Sequence, residues 1–103
     1  MTNIRLTPFE INQICLTFRQ FFHPEDHIWL FGSRADILKK GGDIDLYIET
    51  HYQDADQVIQ ARLGFLVALK AAIGDQKIDI VIKFKDQESL IHQIAKQEGV
   101  QLI

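Results

Sequence analysis

Apolar side chains recur at helical spacing close to the N-terminus, which indicates a helix with one buried face. The positions concerned are Ile11, Ile14, Cys15, Phe18, Phe21 and Phe22. Thr7 precedes this segment as the predicted N-cap, with Pro8 at the first helical position. Glu10 stands three residues after Thr7, so it is expected to close a capping box. The helix is predicted to end near Phe22, because a proline follows soon after that residue.

Two short segments after this helix have the patterns of β-strands. Residues His27 to Phe31 are nearly all apolar, which is typical of a short buried strand. From Asp43 to Ile48 polar and apolar side chains alternate strictly. Since successive side chains of a strand point to opposite faces, Asp43, Asp45 and Tyr47 are predicted to share one face.

The second half of the chain predicts a helix, a strand, a second helix and a short edge strand. The long helix is expected from about Asp54 to Ala72, and Gly74 is expected to end it. Its predicted apolar stripe consists of Val58, Ile59, Leu63, Leu66, Val67 and Leu69. The strand is predicted over Lys77 to Lys83, the last helix over Asp86 to Gln97, and the edge strand over Val100 to Ile103.

Helices that alternate with strands predict an α/β fold, in which a small mixed sheet is covered by helices. Between the first two strands, residues 33–38 permit a short helix and residues 39–42 are expected to form a turn. A length of 103 residues suits one domain, so a single domain spanning residues 1–103 is expected.

Composition and charge narrow the function classes. The net charge of −3 gives no general basic surface, so direct binding of nucleic acid is not expected. No apolar run reaches the length of a membrane helix, and the N-terminus lacks the pattern of a secretory signal. A cytoplasmic location without membrane contact is therefore expected. The four histidines, His23, His27, His51 and His92, show no metal-ligand spacing and are expected to be structural or surface residues.

Three strand aspartates are the main candidates for chemistry. Asp43 and Asp45 are predicted to project from one strand face about 7 Å apart, close enough for both carboxylates to reach one divalent cation. Like charges repel and aspartate is a poor strand former, so the pair is unfavourable unless a cation or solvent takes up its charge. The alternative interpretation places Asp43 in a Gly-Gly-Asp turn, which leaves Asp45 unexplained.

Asp79 is a third acid within a predicted strand, flanked by two isoleucines. If its strand lies beside that of Asp43 and Asp45, three carboxylates converge. Mg²⁺ takes hard oxygen ligands, usually a few carboxylates together with substrate phosphates. Such a cluster suits two metal ions about 4 Å apart, the arrangement used in phosphoryl and nucleotidyl transfer.

The residues that follow the first strand are candidates for nucleotide binding. Gly32 would let the backbone pass close to a ligand, and Ser33 could offer a hydroxyl group to a triphosphate. Ser33 could equally serve as a simple helix N-cap, and both roles can coexist. Arg34 is a candidate phosphate contact, with an exposed side chain as the alternative.

The segment LFGSRADILKKGGDIDLYIE resembles the signature of the nucleotidyltransferase superfamily typified by DNA polymerase beta. That signature is an apolar strand, Gly-Ser or Gly-Gly, a connection of roughly ten residues, and Asp-x-Asp in an apolar strand. The later strand KIDIVI supplies a further acidic residue. The length of the chain and the GSRAD start are most similar to the minimal nucleotidyltransferases, the antitoxin partners of small helical HEPN proteins. The resemblance covers nearly the whole chain and implies the polymerase beta-like nucleotidyltransferase fold.

The resemblance also implies an activity and a role for each matching residue. Gly32 and Ser33 would hold the nucleotide phosphates, and Asp43 and Asp45 would bind Mg²⁺. Asp79 would be the third metal ligand and the general base. Family members of this kind transfer AMP from ATP to a tyrosine of the partner HEPN toxin and so silence its RNase activity. A hetero-oligomer with such a toxin, two Mg²⁺ ions and ATP as substrate are therefore expected.

Two other functions compete with this hypothesis. A non-catalytic antitoxin would keep the fold and neutralise its toxin by contact alone, although retention of all three acids argues against an idle site. A nucleotidyltransferase acting on a small molecule is the second alternative. Larger relatives of that kind usually add a second domain for the acceptor, which 103 residues do not accommodate.

Overall fold

Three α-helices and a four-stranded sheet form the part of the chain that the computed structural model describes, which is residues 4–35, 41–85 and 89–103 without the side chain of Ser33. The helices are α1 (Pro8–Phe21), α2 (Ala55–Ile73) and α3 (Leu90–Glu98), and the strands are β1 (His27–Phe31), β2 (Ile44–Glu49), β3 (Ile78–Lys83) and β4 (Val100–Gln101). A single 3₁₀ turn over Gly32–Ala35 follows β1. Among these described helices, none is long and apolar enough to cross a membrane.

The sheet is mixed, with the strand order β3-β2-β1-β4. β1 pairs antiparallel with β2 and with β4, whereas β2 pairs parallel with β3. α2 makes the crossover between the two parallel strands, since parallel neighbours need a long connection. The predicted α/β fold with a small mixed sheet covered by helices is confirmed, and it is consistent with a nucleotidyltransferase-like fold.

The two faces of the sheet are covered by different helices. α1 and α2 cover the first face, and the fully buried core there includes Phe18, Phe65 and Leu46. α3 covers part of the second face, where its Ala95 packs with Trp29 and Tyr47. Because side chains alternate along β2, Asp45 belongs to the face of Tyr47, on the side of α3.

Local capping signals account for the helix starts. The Thr7 hydroxyl accepts a hydrogen bond from the Glu10 N–H, and the Glu10 carboxylate accepts one from the Thr7 N–H, so the predicted capping box is confirmed. Asp54 is the N-cap of α2, and Ser89 is that of α3. The prediction of a last helix that is continuous from Asp86 is wrong, because Ser89 is extended and α3 begins at Leu90. Asp86 itself lies outside the described residues, as do residues 36–40 of the predicted short helix and turn.

The apolar stripe predicted for α2 is partly wrong. The side chains that α2 buries are Val58, Ala61, Phe65 and Leu69. Three predicted stripe residues face away from the core instead, with exposed fractions of 63 % for Ile59, 59 % for Leu63 and 61 % for Val67.

Close packing between α1 and α2 explains which face of α2 is buried. The ring of Phe21 lies directly on the backbone of Gly64, so closely that a Cβ atom at position 64 would overlap it. Ala61 adds a second small residue near this contact. α2 carries apolar side chains on both sides, so the close approach of α1, rather than periodicity alone, selects the buried side.

Candidate metal and nucleotide site

Asp43, Asp45 and Asp79 lie on adjacent stretches of chain, where β2 and β3 begin. The parallel register pairs Asp45 of β2 directly with Asp79 of β3, and paired residues of neighbouring strands lie about 4.8 Å apart and point to the same face. Asp43 immediately precedes β2. The strands carrying these acids are therefore adjacent, as the predicted metal site requires.

The electrostatics of Asp45 reflect this crowding. Burial raises the pKa of the Asp45 carboxyl group above its ordinary value of 3.8, and the negative charges of Asp79 and then Asp43 raise it further. The positive charge of Lys77 acts in the opposite direction. An upward shift of the pKa is expected when like charges lie close together and are partly shielded from water. A bound cation would relieve this unfavourable interaction between the carboxylates.

Lys77 is a counterion of the cluster that the sequence analysis did not single out. Its Nζ atom lies 3.4 Å from Oδ2 of Asp43, and both side chains are exposed to a large extent. A hydrogen bond with Asp43, followed by the charges of Asp43 and Asp79, raises the pKa of the Lys77 ammonium group. The signal that could have identified it is its position two residues before Asp79, since the parallel register then brings it beside Asp43.

Gly32 lies against the Asp45 carboxylate. β1 ends at Phe31, which pairs with Asp45, and Gly32 follows with a φ of 75°. This φ favours glycine, and a Cβ atom at the position would overlap the Asp45 carboxylate. Gly32 therefore permits the close approach of the backbone to Asp45. Its predicted contact with phosphate stays a prediction, and the predicted role of the Ser33 hydroxyl lies outside the described atoms.

Arg34 ties together three segments around the cluster. Its guanidinium group donates to the carbonyl oxygen of Arg5 at 2.8 Å, to that of Gly42 at 3.1 Å and to Oε1 of Gln76 at 3.3 Å. The side chain is half-buried rather than exposed. Because Gly42 directly precedes Asp43, Arg34 helps to fix the position where the acid pair begins. The predicted contact of Arg34 with a nucleotide phosphate is not tested by these contacts.

Gln76 connects the Arg34 network to the start of α1. Its amide donates to Oε2 of Glu10 at 2.8 Å. Burial acts to raise the pKa of Glu10, but hydrogen bonds from Gln76 and Thr7 and the charge of Arg34 outweigh it, so the pKa is lowered. Gln76 could not be identified from the sequence, because no local pattern indicates a contact between residues 66 positions apart.

A second polar cluster lies at the opposite end of β2, around the fully buried Asp26. Its carboxylate accepts hydrogen bonds from the N–H groups of His23 at 2.9 Å and His51 at 2.7 Å. It also accepts one from the Thr50 hydroxyl at 2.6 Å and lies 2.8 Å from Nδ1 of His51. Asp26 thereby holds together the segment before β1 and the segment after β2.

His23, Asp26 and His51 offer ligand atoms within 4.8 Å of one another, a grouping that could accept a metal ion. Several of their polar atoms already have partners within the protein, however. The Asp26 carboxylate has the partners given above, and Nδ1 of His23 accepts from the N–H of Glu25 at 3.1 Å. We therefore assign this cluster a structural role. A surface cavity of about 360 Å³ beside it, lined in part by His51, Glu49 and Lys83, is likewise remote from Asp45.

No protein-family model matches the chain, and no curated protein matches it either. The family resemblance therefore rests on the Gly-Ser and Asp-x-Asp segments and on the later strand that carries Asp79.

Proposed function

We propose that this protein is a Mg²⁺-dependent nucleotidyltransferase that transfers AMP from ATP to a tyrosine hydroxyl group of a HEPN-type toxin. The observation that carries the proposal is the pairing of Asp45 with Asp79 on adjacent parallel strands, with Asp43 two residues before Asp45. Gly32 packs against the same carboxylate. The Gly-Ser segment therefore lies next to the Asp-x-Asp segment, which supports the proposal.

The chemistry of the donor set fits magnesium. Asp43, Asp45 and Asp79 present carboxylate oxygens, the ligands that Mg²⁺ prefers. Burial and the acidic neighbours raise the pKa of Asp45, while Lys77 forms an ion pair with Asp43, so a bound cation would reduce the repulsion that Asp45 experiences. Mg²⁺, when bound, would supply charge neutralisation for the triphosphate and for the leaving pyrophosphate.

Asp79 is suited to act as the general base. It is exposed, whereas Asp45 is half-buried, so an acceptor hydroxyl can reach it. In the proposed reaction Asp79 takes the proton of the tyrosine hydroxyl group as the phenolic oxygen forms a bond to the α-phosphorus of ATP. The bond between that phosphorus and the bridging oxygen breaks, and pyrophosphate leaves with the electron pair.

The segment after β1 is proposed to hold the triphosphate. Gly32 brings the backbone next to Asp45, and Ser33 follows it in the 3₁₀ turn. Arg34 contributes by fixing Gly42 and hence the backbone next to Asp43. The phosphates would then lie between this segment and the acid cluster.

The proposed partner, a HEPN-type toxin, is inferred from the family resemblance. A small helical HEPN toxin would present the acceptor tyrosine and form a hetero-oligomer with this protein in the cytoplasm. Transfer of AMP would silence the RNase activity of that toxin.

Titration calorimetry with Mg²⁺ and the non-hydrolysable analogue α,β-methylene ATP tests the site directly. The wild-type protein is expected to bind the analogue only when Mg²⁺ is present, and Asp45→Asn is expected to abolish binding. Asp75→Asn is the matched control, because it removes the same charge from an exposed position between α2 and β3. Equal binding by the wild type and Asp45→Asn would refute the proposed site.

A toxin-neutralisation assay separates catalysis from contact. The double variant Asp43→Ala/Asp45→Ala is expected to lose neutralisation of the HEPN toxin while still binding to it. Full neutralisation by this variant would contradict the enzymatic proposal and favour an antitoxin that acts by contact alone.

A further inference from the structure

The outward face of α2 carries an apolar ridge that no other part of the described chain covers. Ile59, Leu63 and Val67 follow one another at intervals of four residues and are exposed by 63 %, 59 % and 61 %. They lie opposite the buried side of the helix that contains Ala61 and Phe65. Single exposed apolar residues are common on protein surfaces, whereas contiguous exposed apolar surface is a feature of interaction sites.

The charges at the ends of this ridge are opposite and symmetrically placed. Asp56 lies seven residues before Leu63, and Lys70 lies seven residues after it. Seven residues bring an α-helix back to within about 20° of the same direction, so both charges lie on the ridge side of α2. The arrangement is self-complementary about Leu63, because reversing the helix direction exchanges the acid and the base.

We propose that α2 forms an antiparallel interface with α2 of a second copy of this chain, with the two-fold axis at Leu63. Leu63 then contacts Leu63 of the second copy, and Ile59 contacts Val67. Asp56 of each copy lies beside Lys70 of the other, which gives two equivalent ion pairs, as two-fold symmetry requires. A parallel arrangement would instead place Asp56 beside Asp56 and Lys70 beside Lys70.

The size of the ridge indicates a reversible dimer. The stretch from Asp56 to Lys70 covers about 21 Å of helix axis, at a rise of about 1.5 Å per residue. One helix face of this length falls short of the roughly 800 Å² per partner that is usual in stable complexes. The dimer is therefore expected to dissociate on dilution through the micromolar range.

The interface leaves the acid cluster free. α2 covers the first face of the sheet, whereas Asp45 and Asp79 belong to the second. Dimerisation and nucleotide binding thus concern opposite sides of the molecule, and either proposal can fail without affecting the other.

Sedimentation velocity of the full chain across the micromolar range tests the interface. The wild type is expected to show a concentration-dependent shift from monomer to dimer, and Leu63→Glu is expected to remain monomeric. Leu16→Glu on α1 is the matched control, because Leu16 is also exposed, at 53 %, but lies outside the ridge. A wild type that stays monomeric throughout would overturn the proposal, as would equal dimerisation by Leu63→Glu and the wild type.

Charge exchange tests the antiparallel register itself. Asp56→Lys and Lys70→Glu each convert two attractive pairs into repulsive ones and are each expected to weaken the dimer by about tenfold. The double variant Asp56→Lys/Lys70→Glu restores opposite charges across the interface and is expected to recover most of the wild-type affinity. Failure of the double variant to recover, with circular dichroism showing intact helices, would overturn the register. Loss of binding to a HEPN protein by Leu63→Glu, with a wild type that is monomeric alone, would assign the ridge to that partner instead.

Discussion

Asparagine in place of Asp45 removes one negative charge from the acid cluster with almost no change in shape. If the three acids are held together for a cation rather than for stability, this substitution should stabilise the protein when no metal is present. A structural carboxylate behaves in the opposite way, because its loss leaves its hydrogen-bond partners unsatisfied. The sign of the change therefore distinguishes a functional acid from a structural one.

The expected magnitude follows from the position of Asp45 beside Asp79. Two unit charges about 5 Å apart repel by about 0.8 kcal/mol in water and by about 3 kcal/mol at an effective dielectric constant of about 20. Asp79 is exposed, so the lower part of this range applies. We expect Asp45→Asn to raise the free energy of unfolding by about 1 kcal/mol, which corresponds to about 4 °C in melting temperature for a domain of this size.

The pH dependence has a definite sign. The pKa of Asp45 is raised in the folded protein above its ordinary value of 3.8, first by burial and then by Asp79 and Asp43. The stability that protonation of Asp45 provides is thus fully present below the unfolded-state pKa and is lost as the pH rises through the folded-state pKa. The advantage of Asp45→Asn over the wild type should be largest at neutral pH and should vanish below the ordinary pKa of aspartate.

Thermal melting followed by circular dichroism, with EDTA and then with Mg²⁺, measures both effects. Mg²⁺ should raise the melting temperature of the wild type, since a ligand that binds the folded state stabilises it, and should leave that of Asp45→Asn unchanged. Asp75→Asn should respond to Mg²⁺ as the wild type does. A lower melting temperature for Asp45→Asn in EDTA at neutral pH, or an equal Mg²⁺ response in both proteins, would refute the reasoning.

Two further substitutions test the surroundings of the site. Gly32→Ala should destabilise the protein by about 1–3 kcal/mol, because the residue has a φ of 75° and the new methyl group would overlap the Asp45 carboxylate. Calorimetry should also show weaker binding of the ATP analogue by this variant. A variant as stable as the wild type would contradict the packing of Gly32 against Asp45. Asp26→Ala should destabilise the protein by about 2–4 kcal/mol in urea unfolding, because the donors that bind this fully buried carboxylate would lose their acceptor. Mg²⁺ and nucleotide binding should persist in Asp26→Ala. Asp26 contacts Thr50, which follows β2 and lies five residues and about 16 Å of extended chain from Asp45. Loss of Mg²⁺ or nucleotide binding in this variant would show that the two clusters are coupled.

Features that depend on neighbouring residues along the chain could be predicted from the sequence. The capping box of Thr7 and Glu10 requires only a spacing of three residues and the hydrogen bonds within one turn. The alternation around Asp45 likewise follows from strand geometry. Only the adjacency of the two acid-bearing strands had to be assumed, and the parallel register of β2 and β3 provides it.

Features that depend on distant residues could not be predicted in the same way. The buried side of α2 is selected by contact between Gly64 and Phe21, which periodicity does not report. The role of Asp26 follows from partners 24 and 25 positions away. The contacts of Arg34 with Arg5 and Gln76 also span large sequence separations, so no local pattern identifies them.

The proposed transfer of AMP has one direct test, the intact mass of a HEPN partner incubated with this protein, ATP and Mg²⁺. The account predicts that the partner gains the mass of one or more AMP groups and that fragmentation places them on tyrosine. It also predicts no gain with Asp43→Ala/Asp45→Ala. An unchanged mass in a partner that nevertheless forms a tight complex with the wild type would contradict the account.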